Sequence, residues 1–249
     1  MNRVELKAFR RDVQIIFQDP FESLNARHTV SRILEEPFVI HEMGTAAERR
    51  SWAGDLLNRV GLQADALDRF PHEFSGGQRQ RIGIARAIAL KPKLVVCDEA
   101  VSALDVSIQS QVINLLMDLQ REMNLALIFI AHDLAVVKHV SDDIAVMYLG
   151  KIVEQAEAQE IYAFPRHPYT KALLSAIPIP DPSRRGERII LSGDVPSPIH
   201  PPNGCRFHTR CPHAADQCRT VEPTEEFVNE GHRVTCHFWN ELADRNAVG

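Results

Sequence analysis

The chain is predicted to be a layered α/β protein built on a parallel sheet, and three observations predict it. Short apolar runs at Leu94–Cys97 and Ala126–Ala131 are bounded by turn residues. A helical stripe of Ile108, Val112, Leu115, Leu116 and Leu119 separates them. Both runs end in residues of chemical interest, Asp98-Glu99 and His132-Asp133, and function gathers at the carboxyl ends of strands in such sheets. Strands alternating with helices favour a parallel order. Unbroken apolarity is expected where helices cover both faces.

In order along the chain, Asp12 to Phe17 reads as a strand that stops before Pro20. Residues 21 to about 88 are mostly helical in pattern and read as an insertion into the sheet. Trp52, Leu56, Leu57 and Val60 stripe one helix, which Gly61 ends. Phe74-Ser-Gly-Gly-Gln-Arg-Gln-Arg81 opens the next, where Ser75 and Gln78 have the spacing of a capping box. Ile82, Ala85 and Ala89 form its apolar side, and Lys91-Pro92 closes it. Ile144 to Leu149 is a further strand that Gly150 turns toward Lys151 to Glu154, an antiparallel portion. Beyond it, Ala156–Phe164 and Thr170–Ile177 read as short helices. Pro178-Ile-Pro-Asp-Pro-Ser183 and prolines 196, 198, 201 and 202 then mark a turn-rich segment. Two regions are expected, 1–155 and a C-terminal extension, 156–249, without a large core of its own.

The net charge of −5 gives no sign of a general nucleic-acid binder. The longest apolar run, Leu125 to Ala131, has seven residues, far below the length that crosses a bilayer. The start, Met-Asn-Arg-Val-Glu-Leu-Lys, lacks a hydrophobic signal region, so a cytoplasmic location is expected.

Ser75-Gly76-Gly77 before a helix offers backbone N–H groups to a phosphate or other anion, although glycine pairs before helices also arise for packing alone. Arg79, Arg81 and Arg86, taken singly, read as solvated helix residues. Of the paired carboxylates, Asp98 can hold Mg²⁺ while Glu99 orients or deprotonates a water; the plainer alternative is a strand with a polar end. His132 stands at the equivalent end of the next strand.

Cys97, inside an apolar run, reads as a small core residue. Cys205, Cys211, Cys218 and Cys236 are spaced C-x₅-C-x₆-C-x₁₇-C. In a cytoplasmic protein such a cluster suggests a metal site rather than disulfides. Four thiolates suit Zn²⁺ or a [4Fe–4S] cluster, and unligated, redox-labile thiols are the alternative. His208, His213, His232 and His237 could substitute as ligands but read as surface residues.

The order Gln18, Phe74 to Arg81, Leu94 to Glu99, Ser102 to Asp105 and His132 resembles the ATP-binding subunit of an ABC transporter. Several runs narrow the likeness to the oligopeptide/dipeptide (and nickel) importer branch. They are Gln18-Asp-Pro-Phe-Glu-Ser-Leu-Asn25, Pro71-His-Glu-Phe-Ser-Gly-Gly-Gln78, Ala145-Val-Met-Tyr-Leu-Gly150, His167-Pro-Tyr-Thr-Lys-Ala-Leu173 and Phe207-His-Thr-Arg-Cys-Pro-His213. The resemblance covers essentially the whole chain. It implies a P-loop NTPase-type ABC nucleotide-binding domain with a helical signature subdomain at about 21–88 and a four-cysteine C-terminal extension.

The same resemblance implies roles. Gln18 would be the Q-loop glutamine, Ser75, Gly76, Gly77 and Gln78 the signature motif, and Asp98 the Walker B magnesium residue. Glu99 would be the general base, Ser102 to Asp105 the D-loop, and His132 the switch histidine. ATP and Mg²⁺ are the implied cofactors, with a [4Fe–4S] cluster, or alternatively Zn²⁺, on the cysteines. Implied partners are a second, homologous or identical ATPase subunit, transmembrane permease subunits and, indirectly, a substrate-binding protein. The implied place is peripheral, on the cytoplasmic side of the cell membrane. Ala100 stands where proline usually follows the glutamate, and Ala26 replaces a common proline.

One departure is an absence. The sequence holds no Gly-x-x-x-x-Gly-Lys-Ser/Thr run. The expectation is therefore an N-terminally truncated nucleotide-binding domain, incomplete and inactive alone, energising import of di- or oligopeptides only with a partner. The alternative is a non-catalytic half-site or interaction subunit that assists a complete ATPase.

Overall fold

A computed structural model of the protein describes residues 2–177 and 188–244. The proline-rich Pro178–Ser183 stretch lies outside the described residues. The chain divides into two compact units, residues 1–132 and 133–249; the sequence boundary near 155 falls inside the second.

The first unit opens with α1 (Arg3–Asp12), a helix that the sequence pattern does not announce; its last residue, Asp12, is where the first strand was expected to begin. Asn2 and Glu5 form a reciprocal capping box that starts this helix, yet it buries none of its residues. Then come β1 (Val13–Ile16), α2 (Pro20–Ser23), α3 (Val30–Ile40), α4 (Ala46–Arg59), α5 (Gly76–Ile88), β2 (Leu94–Asp98), α6 (Val106–Met123) and β3 (Ala126–Ile130). The three strands form a parallel sheet in the order β1-β2-β3, with Ile15 opposite Val96 and Val96 opposite Ile128. Helices α2 to α5 thus lie in sequence between the paired strands β1 and β2.

One face of this sheet, carrying Ile16, Val95 and Cys97, is buried. The other is not. Ile15 is 39% exposed, Ile128 50% and Ile130 47%. Coverage of both faces, expected from the apolar runs, is therefore not what the described residues provide. A parallel sheet with one apolar face in water is unusual, and the patch belongs to the class that marks an interaction surface or an aggregation hazard.

The second unit holds α7 (Leu134–Val140), β4 (Asp143–Tyr148), β5 (Lys151–Glu157), α8 (Ala158–Ala163), α9 (Pro168–Ser175), α10 (Asp216–Thr220), β6 (Glu226–Asn229), β7 (His232–Val234) and α11 (Trp239–Asp244). The expected antiparallel pair β4-β5 is extended by two strands that the sequence reading missed, giving the order β4-β5-β7-β6. The C-terminal segment also has a core. Tyr148, Tyr169 and Phe207 pack with ring centroids 4.8 to 5.3 Å apart, and the same unit holds a fully buried carboxylate, Glu154, which is 0% exposed.

That carboxylate is tolerated because donors surround it. It accepts the Arg166 N–H at 2.6 Å and the His167 N–H at 3.0 Å, and His232 Nε2 lies 2.9 Å away. Burial would raise the Glu154 pKa, but the bonds from His232 and the two backbone amides outweigh it and hold the group below the ordinary carboxylate range. His232 is 1% exposed, so the expectation of a surface histidine is corrected.

Candidate nucleotide site and cysteine cavity

The signature turn is built as its sequence suggests. Ser75 caps α5: its side chain accepts the Gln78 N–H, and Gln78 Oε1 accepts the Ser75 N–H at 3.0 Å. The two glycines differ. A Cβ on Gly77 would stand 2.5 Å from Cγ2 of Ile108 in α6, whereas one on Gly76 would meet only Leu104 Cδ2, at 3.7 Å. Gly77 is thus required by helix packing, and Gly76 leaves its surface open. The arginines are not simply solvated. Arg79 Nε donates to Phe74 O at 2.9 Å, Arg81 Nη1 to Val60 O at 2.8 Å, and Arg86 Nη1 to Ser23 O at 2.7 Å. They tie α5 to its neighbours, and burial lowers the Arg86 pKa.

A second group forms where the three parallel strands end. Gln18, two residues past β1, donates from Nε2 to Glu99 Oε2 at 2.6 Å. His132, two residues past β3, places Nδ1 3.6 Å from the other oxygen, Glu99 Oε1. Glu99 follows β2, and its N–H donates to Ile130 O at 3.0 Å. Its φ is +43°, a left-handed conformation that costs a non-glycine residue about 1 kcal/mol or more and is found disproportionately at functional sites. Ser102 helps hold it, donating from both N–H and Oγ to the Glu99 carbonyl. Two residues from separate strand ends, Gln18 and His132, therefore converge on the carboxylate that follows the third strand, with Asp98, half-buried, beside it as the last residue of β2.

Asp105 sits apart from that group. Its Oδ1 accepts the Ile108 N–H at 3.0 Å and the Ser107 hydroxyl at 2.8 Å, and these bonds lower its pKa. It is the N-cap of α6, and the turn before it contributes Leu104, the neighbour of Gly76.

In the second unit Cys205, Cys211, Cys218 and Cys236 line one cavity, together with His167 and Phe207. All four are free thiols. Burial, joined by mutual repulsion of the sulfurs, pushes Cys236 up to about 12, Cys211 up to about 11 and Cys205 upward. Gly204 permits the convergence: it has φ +65°, and a Cβ there would lie 2.5 Å from the Cys218 carbonyl oxygen. Among the described residues no group of three or more His, Cys, Asp or Glu is arranged to hold a metal ion. Cys97 stays apart, buried in β2 and pushed up to about 12 by burial.

The sequence reading overlooked Glu154 and His167. The signal was the His167-Pro-Tyr run, quoted for its likeness but given no role.

Comparison with known proteins places these features. The ABC transporter family matches residues 1–102, and the oligopeptide/dipeptide transporter C-terminal region matches residues 153–218. The chain is 53% identical over 237 residues to a probable peptide ABC transporter ATP-binding protein of Sinorhizobium fredii, spanning 95% of this chain and 67% of that protein. It is also 53% identical over 238 residues to the oligopeptide transport ATP-binding protein AppF of Bacillus subtilis, spanning 94% of this chain and 72% of the other. Among solved structures, CbiO1 from Clostridium perfringens, part of the ABC transporter complex CbiONQ, superposes with a TM-score of 0.58 at 27% identity. That match covers 65% of this chain and 63% of CbiO1. The chain belongs to the ATP-binding proteins of peptide ABC transporters, joining an ABC transporter domain to the oligopeptide/dipeptide transporter C-terminal region.

Proposed function

We propose that this protein is an ATP-binding subunit that energises import of di- or oligopeptides, and that it hydrolyses ATP only with a second ATPase subunit. The observation that carries the proposal is the meeting of Gln18 and His132 on Glu99 at the ends of three parallel strands. Glu99 takes the proton of the attacking water, Gln18 fixes the orientation of that carboxylate, and His132 stands where it can sense the γ-phosphate. Asp98 offers the hard oxygen ligand that Mg²⁺ takes beside phosphate oxygens. When bound, Mg²⁺ offsets charge on the transferring phosphoryl group. Ser75, Gly76, Gly77 and Gln78 form a separate N–H-rich turn, which serves a nucleotide presented by the partner subunit. Transmembrane permease subunits and a substrate-binding protein complete the assembly. No helix among the described residues is long and apolar enough to cross a membrane, which fits a peripheral place on the cytoplasmic side.

ATP turnover tests the proposal. In a mixed complex with a P-loop-bearing partner, Ser75→Ala is expected to stop turnover and Glu99→Gln to slow it. A mixed complex that turns over as fast with Glu99→Gln as with wild type overturns the role of Glu99, and hydrolysis by the lone chain, abolished by Glu99→Gln, overturns the dependence on a partner.

The cysteines are the natural holders of a [4Fe–4S] cluster, with Zn²⁺ as the alternative. Four converging thiols whose protonated form is favoured by crowding are the donor set that metal binding stabilises as thiolates. When bound, such a cluster supplies a cross-link and an electron-accepting centre. Metal analysis with a visible spectrum of anaerobically purified protein tests this: a brown iron–sulfur chromophore is expected, and a colourless zinc protein overturns it.

A further inference from the structure

We infer that Gln109 is a positioning residue for Glu99: its side-chain amide holds, through the Val101 carbonyl, the buried turn that presents the Glu99 carboxylate. The inference rests on the reading of Glu99 as the general base and adds the group that keeps it in place.

The turn runs from Glu99 to Leu104 and is knit mainly to itself. The Glu99 carbonyl accepts the Ser102 N–H at 3.0 Å and the Ser102 hydroxyl at 3.0 Å. Two residues on, the Val101 carbonyl accepts the Leu104 N–H at 3.2 Å. These two successive turns frame the left-handed φ of +43° at Glu99, a conformation that persists only where its surroundings over-determine it. Ala100 is 1% exposed and Val101 4%, so water is no ready substitute for a bond lost here.

The second lone pair of the Val101 carbonyl goes to Gln109, whose Nε2 donates to it at 3.0 Å. Among the described residues, this is the one hydrogen bond that ties Ala100–Leu104 to a residue outside the turn. Helix capping does not explain it. The start of a helix has spare N–H donors rather than spare acceptors, and Asp105 Oδ1 already accepts the Ile108 N–H. A donor at this position therefore serves the turn. Gln109 is half-buried and stands on a firm base. Its own N–H donates to the Asp105 carbonyl at 2.8 Å. Its neighbour Ile108 lies so close to α5 that a Cβ on Gly77 would stand 2.5 Å from its Cγ2. Ile130 O holds the Glu99 N–H where the turn begins, and Gln18 holds the carboxylate. Gln109 supplies the restraint on the far side.

The test measures ATP turnover of the mixed complex with a P-loop-bearing partner, and amide hydrogen exchange of the full chain. Gln109→Met keeps the length of the side chain and removes the donor. It is expected to lower kcat roughly three- to tenfold, the span of one neutral hydrogen bond, with KM for ATP unchanged. Exchange should quicken at Ser102 and Leu104 but not at Leu116 or Leu119, buried further along α6. In a Glu99→Gln background the same change should slow turnover no further, because Gln109 acts through Glu99. Gln109→Glu adds a rescue by pH. Its ionised carboxylate has no proton for the Val101 carbonyl, and its protonated form does. Its kcat relative to Gln109→Met should therefore rise as pH is lowered from about 8 toward about 5. A wild-type rate in Gln109→Met, unchanged exchange at Ser102 and Leu104, or an equal loss in the Glu99→Gln background overturns the inference. If Gln109→Met does not fold, Gln109→Glu decides: a kcat that does not recover toward wild type as pH falls overturns it. Full turnover with Glu99→Gln alone overturns the reading of Glu99 itself, and the inference with it.

Discussion

Replacing each signature glycine by alanine should give opposite results, although the two residues are adjacent and identical. At Gly77 the added Cβ would lie 2.5 Å from Ile108 Cγ2, against the ~3.5–4.0 Å at which carbon atoms rest. An overlap of about 1 Å must be relieved by movement of α5 or α6. Neither moves freely, because Arg81 clamps α5 to Val60 O and to Gln111 of α6. Overpacking of this kind costs about 1–3 kcal/mol, of which better helix propensity returns at most ~1 kcal/mol. At Gly76 the nearest neighbour is 3.7 Å away, so stability should be unchanged or slightly raised. Urea unfolding followed by Trp52 fluorescence, in a Trp239→Phe background, measures both. Ile108→Ala removes the clashing methyl, so the Gly77→Ala/Ile108→Ala pair should show favourable coupling of about 1 kcal/mol or more. Equal midpoints for Gly76→Ala and Gly77→Ala, or zero coupling to Ile108, refute the packing argument. On the proposed role of the signature turn, in which phosphate approaches the open surface of Gly76, Gly76→Ala should instead lower ATP turnover of the mixed complex without loss of stability.

Glu154→Ala strands the buried donors of Arg166, His167 and His232 and should cost about 3–5 kcal/mol, read as an early thermal transition of the second unit. Because Glu154 is held below the ordinary carboxylate range, its stabilising contribution is complete above the unfolded pKa of about 4 and fades as pH falls through the lower folded value. Thermal melts across that acid range should show a drop in wild type that Glu154→Gln, lacking the titrating group, does not share. Ile128→Ser, on the open sheet face, should change the stability of the isolated chain by less than about 0.5 kcal/mol and reduce its aggregation in light scattering. A loss several times larger would mean that the face is covered.

What the sequence displayed were features that depend on near neighbours. Apolar runs located β2 and β3, and the Ser75–Gln78 spacing located a real capping box. Glu99 and His132 could be placed at the ends of their strands in advance, whereas Gln18 was singled out only by the family resemblance, and its bond to Glu99 appears in the structure alone. Features that depend on distant partners stayed hidden. Glu154 looks like any polar strand residue until His232, 78 residues away, supplies its donor. Arg81 and Arg86 look solvated until Val60 and Ser23 present their carbonyls. The uncovered sheet face was equally invisible, since an apolar run reads alike whether one or both of its faces find a cover. Gly76 and Gly77 make the same distinction within two residues. In sequence the pair suits either an anion-binding turn or packing alone, and only Ile108 reveals that the second glycine is fixed by packing while the first keeps an open surface.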